Sequence, residues 1–167
     1  MTEEQDDLGS PFARFCNTRL ENYMCAGSIS IPTRMLVLGV EDEGQDAYYF
    51  ARHGFVVTAI DREFKPENQP NQPNAKFFKL SLADYFKSVE AKQGHFHAVY
   101  CRILHKLSEG TREVVLRDSF YLLRTGGWLL LDLEKDDTPS VSEADEWKFQ
   151  LVHQQDHEGF VQSIFQR

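Results

Sequence analysis

Four side chains able to ligate a metal or activate a nucleophile lie close together: His95, His97, Cys101 and His105. His95, His97 and Cys101 share one face of an extended segment, because side chains alternate along a strand. At ~3.3 Å per residue the four spread over roughly 15 Å, whereas a single zinc ion holds its ligands within ~2–2.3 Å. A shared metal site is therefore not expected. Cys101 has no obvious partner base and reads as a small apolar wall. His105 lies just beyond the segment, where an imidazole can take a proton near neutral pH; the plainer reading is a partly exposed loop histidine. Two further groups could do chemistry. Glu41, Asp42 and Glu43 form an acidic run closed by Gly44, and Asp61 ends the apolar segment FVVTAID.

These residues need elements to hold them. MLVLG, residues 35–39, is a continuous apolar strand of the kind buried on both faces in parallel sheets. A helix is expected over Gln45–His53, with Gly54 past its C-terminus, then a strand over Phe55–Ile60. PENQPNQPN, residues 66–74, reads as a loop. Phe77 and Phe78 mark a short strand, Ala83–Glu90 a helix and Phe96–Cys101 another strand. Ser108 is the candidate N-cap of a long helix ending before Gly126, with Leu116, Phe120 and Leu123 as its apolar stripe. Gly126 and Gly127 are expected to turn that helix into the strand WLLLDL, residues 128–133. Trp147–His153 and Phe160–Gln166, joined by QQDHEG, read as a closing hairpin. Ahead of all this, residues 11–25 form a helix with Phe12, Phe15, Leu20 and Tyr23 on its apolar side. Alternating strands and helices imply a three-layer α/β/α sandwich around a mostly parallel sheet, seven-stranded once the antiparallel hairpin is added.

The chain has 167 residues, 41% of them hydrophobic, enough for a substantial core. Its net charge of −8 argues against nucleic acid, whose phosphates require clustered Lys and Arg. No apolar run approaches the ~20 residues that cross a bilayer. The acidic start MTEEQDDLGS lacks a signal core, and three widely spaced cysteines, Cys16, Cys25 and Cys101, suit a reducing compartment. A cytoplasmic location is expected, with a small molecule or a protein as partner.

The stretch LVLGVEDEGQDAYYFARHGFVVTAID, residues 36–61, resembles class I S-adenosylmethionine (SAM) methyltransferases, and most of all the small tellurite-resistance and thiopurine-type enzymes. Glu41, Glu43, Gly44, Ala47 and Ala51 match that pattern; Gln45 and Asp46 stand where Arg and Asn are common, and Asp42 replaces a glycine, making the loop degenerate. LLRTGGWLLLD, residues 122–132, is similar to the family's L-x-P-G-G-x-L-L-L segment, with Thr125 for proline. The resemblance spans residues 34–167 as one domain, preceded by a tail and helix over 1–33. A nicotinamide-type domain fits less well, since G-x-G-x-x-G is missing and the C-terminal end differs.

The resemblance implies a Rossmann-like fold and SAM as cofactor. It places Gly39, Glu41, Asp42 and Gly44 around the methionyl group, Asp61 on the ribose hydroxyls, Ser81 and Leu82 at the adenine and Cys101 beside the cofactor. Asp61 can equally cap the following turn, and Ser81 can cap a helix. His97 falls on a family acid, and His105 on a histidine suited to general base catalysis. The implied reaction is direct methyl transfer to a small-molecule acceptor, and a thiol or chalcogen would need little acid–base help. Asp42, Ser81 and His97 are departures at cofactor positions, so a catalytically inactive methyltransferase-like module for protein interaction or regulation is the rival.

Overall fold

A computed structural model describes residues 9–26, 33–40, 44–63, 72–88, 93–135 and 148–167. Glu41, Asp42 and Glu43, most of the Pro/Asn loop, Trp147 and the side chains of Tyr23 and Cys25 lie outside the described residues.

Seven strands make one sheet: β1 (Arg34–Leu38), β2 (Val56–Ile60), β3 (Ala75–Phe78), β4 (Phe96–Cys101), β5 (Leu123–Glu134), β6 (Gln150–His157) and β7 (Phe160–Gln166). Their order is β3-β2-β1-β4-β5-β7-β6. The first five are parallel; β7 runs against β5 and β6 pairs antiparallel with β7. The chain winds outwards from β1 in one direction and returns through β4 in the other, so the order reverses beside β1, where open sheets bind ligands at the C-terminal ends of their strands.

Among the described residues four α-helices cover the sheet: α1 (Pro11–Ala26), α2 (Gln45–Arg52), α3 (Leu82–Lys87) and α4 (Glu109–Leu122). Strict alternation along buried strands sends side chains to both layers. Leu36, Val99, Cys101, Leu129 and Leu131 face α3 and α4, meeting Tyr85, Val115 and Leu116. Met35, Val37, Ala98, Tyr100 and Leu130 face α1 and α2, meeting Phe12, Cys16, Leu20 and Phe50. Phe12 stacks on Tyr100 with centroids 5.0 Å apart, and full burial of each such side chain contributes roughly 1.5–3 kcal/mol. Helix α1 thus packs on the sheet itself, with Ala13 and Cys16 buried beside the expected Phe12 and Leu20.

Two expectations are corrected. Gly126 and Gly127 do not form the helix-to-strand turn: α4 ends at Leu122 and β5 begins at once, with Leu123 paired to Phe96. The register then slips between Phe96 and Ala98, making a bulge. Gly126 takes φ 82°, and a Cβ on Gly127 would lie 2.9 Å from the Arg124 carbonyl oxygen, so the glycines serve the bulge. The closing hairpin is also tighter than expected. Strand β6 runs on to His157, and Glu158 and Gly159, both at positive φ, make a two-residue turn whose twist matches the strands.

Candidate functional site

The turn after β1 begins at Gly39, at φ 81° and with its N–H donated to the Ile60 carbonyl at 2.8 Å. A Cβ there would lie 2.6 Å from the Ile103 side chain, so packing and backbone conformation both demand glycine. Gly44, at φ 86°, precedes α2 in the left-handed conformation. Asp61 leaves β2 and ties this region together. One carboxylate oxygen accepts the Val40 N–H at 2.6 Å, and the other accepts the Glu63 N–H at 2.7 Å. The acid therefore caps its own turn and braces the β1 loop. Two backbone donors still leave acceptor positions free on a carboxylate with about four lone-pair sites.

Gly39, Val40, Gly44, Asp46, Tyr100 and Arg102 share one crevice at the C-terminal ends of β1 and β4. Much of its wall is a buried polar network. Asp46 accepts from the Ser10 N–H at 2.9 Å, the Ser10 hydroxyl at 2.7 Å, the Tyr100 hydroxyl at 2.5 Å and Arg102 at 3.2 Å. Ser10 also accepts the Ala13 N–H at 3.1 Å, capping α1. Arg102 reaches on to Asp132, its Nε 3.5 Å from the carboxylate. Burial raises the Asp132 carboxyl above its ordinary pKa although Arg102, Gln162 and His105 pull it down. Burial, then Asp132 and Asp46, push the Cys16 thiol well up, leaving it inert as a nucleophile.

None of this network was singled out from the sequence. The signal was present in an acid inside the apolar run LLLDL and in an arginine directly after β4: parity puts Tyr100, Arg102 and Asp132 on the face of Leu130.

The other expected residues separate. His105 sits on a 3₁₀ turn, Leu104–Lys106, at the same end of the sheet, its Nε2 3.7 Å from Glu134 and its ring edge-on to Phe160. The Nδ1 atom is buried without a hydrogen-bond partner. Cys101 is fully buried in the core beneath α3 and α4. The Ser81 hydroxyl accepts the Asp84 N–H at 3.1 Å and caps α3, and Leu82 packs partly buried on that core. Neither lines the crevice.

His97 is not a cofactor-side residue. It stands at the start of β4, the opposite end of the sheet, where Nδ1 accepts the Arg34 N–H at 3.1 Å and Nε2 lies 2.9 Å from Arg124. Burial, then Arg34, Arg124 and His95, lower its pKa to about 4.

No family model and no curated protein matches this chain. Solved structures do. A 1,6-didemethyltoxoflavin-N1-methyltransferase from Burkholderia thailandensis, with bound 1,6-didemethyltoxoflavin and S-adenosylhomocysteine, superposes with a TM-score of 0.74 at 17% identity, covering 94% of this chain and 78% of that one. The fold is that of SAM-dependent methyltransferases. The N-methyltransferase NodS from Bradyrhizobium japonicum, in complex with S-adenosylhomocysteine, matches at TM-score 0.67 and 17% identity over 95% of this chain and 88% of that one. A TehB-like SAM-dependent methyltransferase from Corynebacterium glutamicum matches at 0.63 and 15% over 92% and 96%. In this methyltransferase fold the crevice of Gly39, Gly44 and Arg102 occupies the switch point of the sheet.

Proposed function

We propose that the chain is a SAM-dependent methyltransferase of the cytoplasm acting on a small-molecule acceptor. The observation that carries this reading is Asp61: an acid at the end of β2, anchored by the Val40 and Glu63 N–H groups, beside a loop bounded by two left-handed glycines. That arrangement fits a ribose, whose hydroxyls would take the remaining lone pairs. When bound, SAM supplies an electrophilic methyl group on a sulfonium. Gly39, Glu41, Asp42 and Gly44 would border its methionyl part, Ser81 and Leu82 its adenine, and Cys101 would back the pocket from the core.

The chain's own contribution is orientation and exclusion of water. His105, close to Glu134, would take the acceptor's proton. A thiol or chalcogen acceptor suits a site in which Asp46, Asp61 and Asp132 are already engaged with Arg102 or with backbone N–H groups.

Calorimetry with SAM and S-adenosylhomocysteine tests the reading. Saturable binding of both is expected. Asp61→Asn keeps one acceptor oxygen but loses the charge, and should weaken binding by about 1.5–3 kcal/mol, the scale for a hydrogen bond to a charged group. Asp42→Gly should change affinity only modestly if the acidic loop has adapted to the cofactor. Failure of the parent and of Asp42→Gly to bind at millimolar concentration would overturn the proposal and favour the inactive, partner-binding module.

A further inference from the structure

At the far end of the sheet from the crevice, a cavity of about 180 Å³ opens between the starts of β1, β2 and β4, strand β3 and helix α3. Its apolar lining comes from Val57, Phe78, Tyr85 and Phe96, and its polar lining includes Arg34, Lys76 and His95. No carboxylate is among the described residues that line it. A cavity of about 150 Å³ accommodates a benzene ring, so the cavity as a whole has room for one aromatic ring.

The charged part has its own logic. Arg34 lines the cavity and donates its Nε–H to the His95 carbonyl at 2.7 Å, while no acid among the described residues engages its terminal N–H groups. Lys76 is exposed and pairs with no acid among the described residues. Burial is the main cause that lowers the pKa of the neighbouring His97, and Arg34, Arg124 and His95 add to it, which places a third cationic residue, Arg124, near this end. In a chain of net charge −8 such a cationic group is a local exception, and it complements an anion.

We propose that this cavity is a second ligand site, for a ring-sized aromatic anion whose carboxylate or phosphate meets Arg34 and Lys76 while its ring enters the apolar pocket. The site is separate from the SAM crevice and does not depend on methyl transfer. A guanidinium fork suits either head group, so the two are distinguished by experiment.

The test uses the full chain at low ionic strength and titrates benzoate, phenyl phosphate and the neutral isostere benzamide, followed by saturation-transfer NMR and by chemical shifts of the Val57 methyl groups. Saturable binding of at least one anion is expected, with benzamide at least tenfold weaker. Lys76→Glu, at an exposed position that leaves folding intact, should weaken the anion about fivefold or more, and Arg34→Gln more strongly. The affinity for S-adenosylhomocysteine should stay unchanged in both variants. Absence of saturable binding up to ~10 mM, about tenfold beyond a millimolar complex, would overturn the proposal. So would benzamide binding as well as benzoate, or an affinity indifferent to Lys76→Glu.

Discussion

At the C-terminal end of the sheet, Arg102 lies between two carboxylates, Asp46 and Asp132. At the N-terminal end, His97 lies between two guanidinium-bearing residues, Arg34 and Arg124. Each cluster joins strand β4 to neighbours distant in sequence, yet they solve opposite problems. The first keeps three charges out of water by pairing opposite signs. The second keeps a titratable group neutral by surrounding it with like charge and burial. The first is therefore vulnerable to loss of its cation, and the second to gain of a proton.

The largest effect is expected from Arg102→Met. The variant leaves Asp46 and Asp132 buried without their counter-charge. Removing one partner of a buried pair costs ~3–5 kcal/mol; Arg102 is 22% exposed, so roughly 2–4 kcal/mol is expected here. Urea unfolding at pH 7 measures it. Asp132 should then titrate even higher, since Arg102 is the main influence holding it down. A variant as stable as the parent would show that the network is surface decoration.

Acid should act on the two ends with opposite sign. His97 titrates at about 4 in the folded chain, against an ordinary 6.5. The unfolded chain binds the extra proton between those values, so stability is complete above pH 6.5 and falls as the pH drops towards 4. At ~1.36 kcal/mol per unit the loss is at most about 3.4 kcal/mol. Asp132, raised above its ordinary value, works the other way: its penalty is present at neutral pH and is relieved as the pH falls through its folded pKa. Unfolding midpoints at pH 7 and 4.5 should show a net loss in the parent, shrinking in His97→Gln. An unchanged loss in the variant would assign the acid sensitivity elsewhere.

How much of this was legible differs between the ends in the same way. Strand and helix positions followed from apolar runs and caps, and Ser108 caps α4 as its place in the sequence suggests. The turn-capping reading of Asp61 was legible because an acid closing a strand can accept the N–H groups of the turn that follows, as it does from Glu63. The Asp46–Tyr100–Arg102 contacts were not, because they span 54 and 56 residues of sequence and depend on how α2 docks over β4. His97 was misplaced by alignment to a family acid, although its position at the start of β4 sets it at the N-terminal end. Gly126 and Gly127 looked like a turn because two glycines fit either a turn or a bulge, and only the pairing of Leu123 with Phe96 decides between them.

The smallest effect sharpens the comparison most. Arg124 is exposed, and among the causes that depress His97 it ranks behind burial and Arg34. Arg124→Gln should therefore move the His97 pKa only part of the way from about 4 back towards 6.5. Its cost or benefit at pH 7 should stay within roughly 1 kcal/mol, as for other exposed charges. Following the His97 ring by NMR across pH 3–8 separates the two contributions. Full recovery to the ordinary value would mean that charge, and not burial, keeps the imidazole neutral, and the N-terminal cluster would then be the electrostatic mirror of the Arg102 network. Partial recovery leaves burial dominant: the ring is neutral because it is buried at the start of β4, and the arginines reinforce a state that packing already imposes.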